Sequence, residues 1–401
     1  MAQLMFEGLK VLDCSSFIAA PAAATILSDF GADVIKIEPP GAGDPYRAVP
    51  SLPTMPQATA NYAWLLASRN KRGLALNLAK PAAQDVVRRL VGQADIFITN
   101  FPAAVRKKLG LQYEDLAPLN YRLIYASFTG YGEHGEEAAK PGFDITAWWA
   151  RSGLMDGIRT EATAPPARSL TGMGDHPSGI TLYASIVMGL YQRQLTGRGT
   201  HVGTSLLANG IWCNGVMAQA ALCGARFIDR PPREKSQNAF TNYYRCRDGR
   251  WLILTILNEE RQWPIFIKCL GREDLQDDPR FATSRDRIRN AVELTSVLDQ
   301  TFATRDRSEW REILTSGGIV FDVVASAQDI PNDSQITAND ILVPFDNDSV
   351  LTVASPICVE GQQKVRPRRP PAVGQHTDEI LREAGYDAAA VEKLRSDGAV
   401  A

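Results

Sequence analysis

The sequence predicts an α/β protein: a doubly wound, Rossmann-like large domain over residues 1–225, followed by a smaller α+β domain over 226–330. Three observations carry this. Short apolar runs alternate with helical patterns through the first half of the chain. The connections between them are short, as parallel βαβ units require. The texture then turns polar, basic and proline-bearing at "RFIDRPPREKSQN", as a linker or exposed loop does.

Taken in order, "LKVLDCS" (9–15) reads as a buried strand, and the Ala-rich "APAAATILSDFGA" as a helix that Gly31 stops. "DVIKIEPP" is the next strand, ended by Pro39 and Pro40, and "GLALNL" (73–78) is another. "AAQDVVRRLVGQA" has apolar residues at helical spacing and leads into the strand "DIFITN" (95–100), with "RLIYASFTGYG" (122–132) after it. Between 178 and 195, Ile180, Tyr183, Ile186, Val187, Leu190 and Tyr191 recur at three- and four-residue spacing and predict one strong amphipathic helix. "HVGTSLL" is a further strand, and "NGIWCNGVMAQAALCGA" a helix. In the smaller domain, "TNYYRC" and "RWLILTI" flank Arg247–Asp248–Gly249 as a hairpin. Helical stretches at 259–271, 284–304 and 308–316 and a strand "IVFDVV" complete it. Residues 331–401 form a tail that returns to the large domain and ends in the helical "HTDEILREAGY".

Composition excludes several functions. With 45% apolar residues, 22% charged residues and a net charge of −2, the 401-residue chain lacks the basic excess that nucleic-acid binding needs. A local basic pocket for one phosphorylated ligand stays open. Cys14, Cys213, Cys223, Cys246, Cys269 and Cys358 form no C-x-x-C pair, and His134, His176, His201 and His376 show no ligand spacing, so no metal site is expected. No basic segment precedes an apolar run at the N-terminus, and no stretch reaches the ~18 apolar residues of a membrane helix. A cytoplasmic protein with reduced thiols, bound to no membrane, is expected. The first strand-to-helix turn, "DCSSFIAAPAAA", lacks G-x-G-x-x-G, and "GAGDPYR" lacks the third glycine, so the nicotinamide and flavin fingerprints are absent. G-x-x-x-x-G-K-[ST] is absent as well.

One segment concentrates candidate chemistry. "TGMGDHPSG" sets Asp175 among Gly172, Gly174 and Gly179, just before the long helix. Spacing alone favours a helix cap, with Pro177 in the first turn. The alternative is a nucleophilic carboxylate, kept ionised by the helix N-terminus, with glycines that give a ligand room and leave amides free for an oxyanion. His176, adjacent in sequence, reads as a first-turn or interface residue. Asp144 in "GFDITAWWARSG" reads as a cap or a paired acid, and Trp148 and Trp149 as core or interface. The clusters Arg69, Lys71, Arg72 and Arg106, Lys107, Lys108 flank strand ends. They read as solvated surface or as holders of a nucleotide phosphate.

Several stretches, in order along nearly the whole chain, together resemble the family III coenzyme A transferases: "FIAAPAAATILSDFGADVIKIEPPGAGDPYR", "NKRGLALNL", "ADIFITNF", "LIYASFTGYGEHG", "PGFD", "GMGDHPSG", "LTGRGTHVGTSLL" and "GQHTDEIL". Within that family "FIAAPAA", "GFD…ARSG" and "GMGDHPSG" are nearest to the cinnamoyl-CoA:phenyllactate transferase type. The resemblance implies a catalytic Asp175, a supporting carboxylate at Asp144, oxyanion donors near Gly172 and Gly174, and a covalent aspartyl-CoA thioester. It implies no tightly bound cofactor, with the CoA thioester and a carboxylic acid as substrates. It also implies an interlocked homodimer. CoA contacts fall on Ile18, Ala19, Asn100, Phe101, Lys108, Leu109 and Lys140, with Lys71 and Arg72 open between phosphate holder and structural position. Acyl-CoA racemases of the family carry a histidine in a G-H-D triplet. Here the triplet is Gly142–Phe143–Asp144, and phenylalanine moves no proton, which weakens the racemase alternative. A catalytically silent subunit of a heteromeric transferase is the other alternative, and the intact Asp175 loop opposes it. Ile18 in place of a glutamine, Pro39 after Glu38, and "EKSQNAFTNYY" in place of a glycine-rich flap argue against formyl-CoA or oxalate as substrate.

Overall fold

The computed structural model describes residues 4–346 and 348–401. The chain divides into two compact units. One contains residues up to Gly157, Ala167–Ala225 and Gln335–Ala401; the other contains Ile158–Pro166 and Arg226–Ser334.

The first unit is built on a six-stranded, wholly parallel sheet: β1 (Lys10–Cys14), β2 (Asp33–Glu38), β3 (Arg72–Ala75), β4 (Ile96–Thr99), β5 (Ile124–Thr129) and β6 (Thr200–Ser205). Their spatial order is β3-β2-β1-β4-β5-β6. Side chains alternate between two cores. Val11 of β1, Ile96 and Ile98 of β4, and Ile124 and Ala126 of β5 enter one; Leu12, Phe97 and Tyr125 enter the other. Burial on both faces explains why these strands read as near-continuous apolar runs.

On the first face lie α1 (Ala19–Asp29) and the long helix Asp175–Thr196. They approach so closely that a Cβ on Gly179 would sit 2.7 Å from the Ala19 carbonyl oxygen. The short helix α2 (Tyr62–Ser68) precedes β3. On the other face, α3 (Pro81–Val91) packs beside the C-terminal helices Thr377–Glu383 and Ala388–Ser396. The tail is stitched to β3 by backbone bonds from His376 to Gly73 (3.0 Å) and from Asn77 to Ala399 (2.9 Å). After β4 comes α4 (Ala103–Leu109), closed by Gly110 in the left-handed conformation.

The second unit has a three-stranded antiparallel sheet, β7 (Tyr243–Arg245), β8 (Trp251–Leu254) and β9 (Phe321–Val323), on a core that includes Tyr244, Phe266, Phe302 and Trp310. The β7–β8 hairpin closes with Gly249 at φ 77°. The stretch read as one helix over 284–304 is two, Ser284–Arg289 and Ala291–Phe302, because Asn290 leaves helical geometry between them. Among the described residues no helix is long and apolar enough to cross a membrane, and no group of His, Cys, Asp and Glu is arranged to hold a metal ion.

Candidate active site

In parallel sheets of this order, ligands enter beyond the carboxyl ends of the strands where the winding reverses, here between β1 and β4. A polar clasp spans that point. The Asn100 side chain, just after β4, accepts the Ser16 N–H at 2.9 Å and donates to the Ser16 carbonyl at 2.7 Å. The next residue, Phe17, has φ 65°, a left-handed backbone that a bulky residue adopts only under constraint. Asp44 supplies part of that constraint. Its Oδ1 accepts the N–H of Phe17 (3.1 Å) and of Tyr46 (2.9 Å).

Below this loop lies a buried ionic network. Asp13 takes Lys71 Nζ at 2.9 Å and lies 4.0 Å from Lys36 Nζ, which also meets Asp44 at 2.8 Å. Burial would raise the Asp13 carboxyl, but Lys36 and Lys71 outweigh it and hold it below the usual range. Burial pushes the Lys71 ammonium down to about 8 despite Asp13. Lys71 also donates to the carbonyls of Pro21 and Ala67, so its three protons are committed. Of the two roles left open for Lys71, the geometry gives the structural one. Arg72 follows suit: it binds Asp33, Glu379 and Glu383 and fastens the tail to the sheet. Arg69, paired with Asp29, and Arg106, paired with Glu133, are buried as well, so three of the six clustered cations are not the solvated surface that such runs usually form.

The Asp175 loop lies against this platform. Gly172, at φ 77°, faces Ile18: a Cβ there would lie 3.1 Å from Ile18 Cδ1. Gly174, not Asp175, is the N-cap, and Asp175 opens the helix without a capping bond. The capping role read from spacing therefore does not hold. Gly174 is required by packing, since a Cβ would fall 2.5 Å from the Trp148 ring. That ring stacks on Trp149 inside the core. The glycines at 174 and 179 thus make room for protein rather than ligand.

Asp144 begins a π-helical turn, Asp144–Ala150, a geometry frequent at functional sites. One of its oxygens accepts the Ile145 N–H at 2.7 Å, and the other lies 3.5 Å from the Gly174 N–H. No described residue donates a hydrogen bond to the Asp175 carboxylate. Burial, and then the Asp144 charge, push its pKa up to about 7, so the helix N-terminus does not keep it in the ordinary carboxylate range. The backbone amides of Gly172 and Asp175 have no acceptor among the described residues. His176 lines a separate, mostly apolar cavity of about 650 Å³ with Arg69, Ile180, Ile341 and Lys364. Burial, and then Arg69, lower its pKa.

Of the remaining expected contacts, Ile18 and Ala19 are buried at the start of α1, and Phe101 and Leu109 pack on the core beside β4. Lys108 is exposed on α4 with no ionic partner among the described residues. Lys140 is exposed, 2.8 Å from Glu137 and over the Tyr131 ring. Phe143, 56% exposed, makes an edge-on contact with Phe17, ring centroids 5.6 Å apart. Phe17 and Tyr46 carried no sequence signal that set them apart.

The family model for CoA-transferase family III matches residues 6–377. The chain is 32% identical to (R)-2-hydroxy-4-methylpentanoate CoA-transferase of Clostridioides difficile, over 99% of this chain and 100% of that one. It is 33% identical to cinnamoyl-CoA:phenyllactate CoA-transferase of Clostridium sporogenes, over 98% and 96%. Among solved structures, a CAIB/BAIF family protein from Brucella suis superposes with a TM-score of 0.86 at 27% identity, over 96% of this chain and 100% of that one. The chain belongs to the family III CoA-transferases, enzymes that move CoA between acyl-CoA thioesters and carboxylic acids.

Proposed function

We propose that this enzyme transfers CoA through a covalent aspartyl-CoA thioester on Asp175. The observation that carries the reading is a half-buried carboxylate with no cation and no hydrogen-bond donor among the described residues, facing a second carboxylate at the mouth of the switch point. A carboxylate that burial makes more basic is a better nucleophile than a solvated one. Its oxygen attacks the donor thioester carbonyl, and the C–S bond breaks to give a mixed anhydride and CoA thiolate. The thiolate attacks the aspartyl carbonyl, releases the donor acid and forms aspartyl-CoA. The acceptor carboxylate repeats the sequence in reverse and restores Asp175. Each step passes through an oxyanion, for which the free amides of Gly172 and Asp175 are the donors. Lys108 and Lys140 are the cations within the set that remain exposed for the nucleotide end of CoA.

The acceptor we infer is a carboxylic acid with an apolar side chain, aromatic or branched. The exposed Phe143 beside Asp144, in contact with Phe17, offers it an aromatic wall. Two relatives named for hydroxy acids with such side chains support the same class. Because Phe143 carries no proton, transfer is favoured over racemisation. We also infer an interlocked homodimer: Trp212, Val216 and Leu222 present an apolar face to solvent, more than 75% exposed each. The cysteines, all free thiols, fit the cytoplasm.

The test is trapping. Incubation with acyl-CoA, then hydroxylamine or borohydride, and peptide mapping by mass spectrometry should mark Asp175. An unmarked Asp175, or an Asp175→Ala protein with undiminished transfer, overturns the reading. Paired donors and acceptors in the same assay, phenyl- and isobutyl-bearing acids against dicarboxylates, read the substrate class.

A further inference from the structure

The Tyr46 ring is buried, no described residue hydrogen-bonds its hydroxyl, and that oxygen is not closed off from solvent. It lies in a small cluster with Ile18, Trp64 and Ala67, against which Phe17 and Tyr62 pack. That cluster reaches the Asp175 loop through Ile18, which meets Gly172. The backbone of Tyr46 is pinned by Asp44, the same carboxylate that holds Phe17, and Asp44 is anchored by the buried Lys36. The residue is therefore held by a rigid, charge-compensated base while its polar end has no fixed partner. A phenol whose ring is fixed in the core while its oxygen stays accessible is placed to meet a group beside it.

We propose that the Tyr46 hydroxyl is the hydrogen-bond donor that the Asp175 carboxyl lacks, and that it serves the oxyanions formed at that carboxyl during transfer. Burial, and then the Asp175 charge, raise the phenol, so it keeps its proton across the working range and acts as a donor only. The groups that bear on the pair are few. Asp144 acts on Asp175; Tyr62 and Asp44 act on Tyr46; the neighbouring His176 responds to Arg69 and Asp144. No described cation acts on Asp175, so a neutral donor is what can favour its ionised form without annulling its nucleophilicity. When aspartyl-CoA forms, the aspartyl carbonyl oxygen takes negative charge in the tetrahedral intermediate. The hydroxyl then donates to it alongside the Gly172 and Asp175 amides.

The inference rests on Asp175 as nucleophile, and Tyr46→Phe separates the two. The substitution removes one oxygen and no described contact, so the melting temperature should hold. The expected result is a fall of about 10- to 100-fold in kcat at unchanged KM for acyl-CoA. The acid limb of the pH–rate profile should move up by roughly one pH unit, because a lost donor disfavours the charged carboxylate. A purely structural role moves neither limb nor kcat in this pattern. If Asp175→Ala abolishes trapping while Tyr46→Phe leaves kcat and the limb in place, the Tyr46 assignment is overturned and the nucleophile stands. If Asp175→Ala leaves trapping intact, both fall.

Discussion

Two carboxylates in the first unit, Asp13 and Asp175, are each taken out of bulk water, and their surroundings are opposite. Asp13 has two lysines and the Ser15 hydroxyl, and its pKa falls. Asp175 has no cation and no donor among the described residues, faces a like charge, and its pKa rises to about 7. Compensated burial holds a loop in place; uncompensated burial stores reactivity. The platform is what makes the second possible, because Asp13, Lys36 and Asp44 fix the backbone of Phe17 and Tyr46 next to the Asp175 loop.

The widest way to break this contrast is to neutralise each acid in turn. Asp13→Asn leaves Lys36 and Lys71 buried with less counter-charge and should destabilise the fold by about 3–5 kcal/mol in denaturant titrations. Asp175→Asn should lower transfer by at least ~10³-fold without loss of stability. The sign follows from the raised pKa. The native protein holds a proton on Asp175 that the unfolded chain releases near an ordinary aspartate's 3.8. The stability this proton contributes below pH ~4 is lost as pH rises through about 7. At pH 8 the asparagine variant should therefore match or exceed the wild type, by roughly 2 kcal/mol after discounting for solvent screening. Equal stability losses in the two variants would erase the distinction.

Much of the platform was legible. The apolar strands, the switch-point topology and the long helix follow from periodicity, and all six parallel strands overlap the apolar runs. A lysine in the middle of "DVIKIE" and the aspartate closing "VLD" were visible as charges inside buried strands, a pattern that calls for partners. The partners were not legible, because Lys36 reaches Asp13 from β2 and Lys71 from the residue before β3, both distant in sequence. The same holds at the site. Spacing gave Asp175 a helix end, but Gly174 holds the cap position, and only the fold brings Asp144 beside the loop. The glycines read in sequence as room for a ligand, and contact geometry shows instead that Gly174 and Gly179 make room for Trp148 and the Ala19 backbone.

That geometry gives a sharper, smaller test. Gly174→Ala places a methyl within 2.5 Å of the Trp148 ring, which is stacked and buried and has little room to move. A loss of about 1–3 kcal/mol is expected. A drop in kcat should accompany it, since the Gly174 amide also faces Asp144. Gly157→Ala is the control: a Cβ there meets no described atom within 4 Å, so stability and activity should be unchanged. If both variants behave alike, the tight fit between Gly174 and Trp148 does not exist in solution.

The finest test separates the two causes of the raised Asp175 pKa. Burial comes first and Asp144 second. Asp144→Asn removes the like charge but keeps an oxygen to face the Gly174 N–H, and it leaves burial in place. The acid limb of the transfer rate, expected near pH 7 in the wild type, should fall by roughly one pH unit and stay well above an ordinary aspartate. Below the wild-type limb the variant gains ionised Asp175; above it, both enzymes are fully ionised, and the variant carries a less basic, slower nucleophile. The two pH–rate curves should therefore cross. Parallel curves would mean that Asp144 does not set the charge state of Asp175, and the contrast with Asp13 would then rest on burial alone.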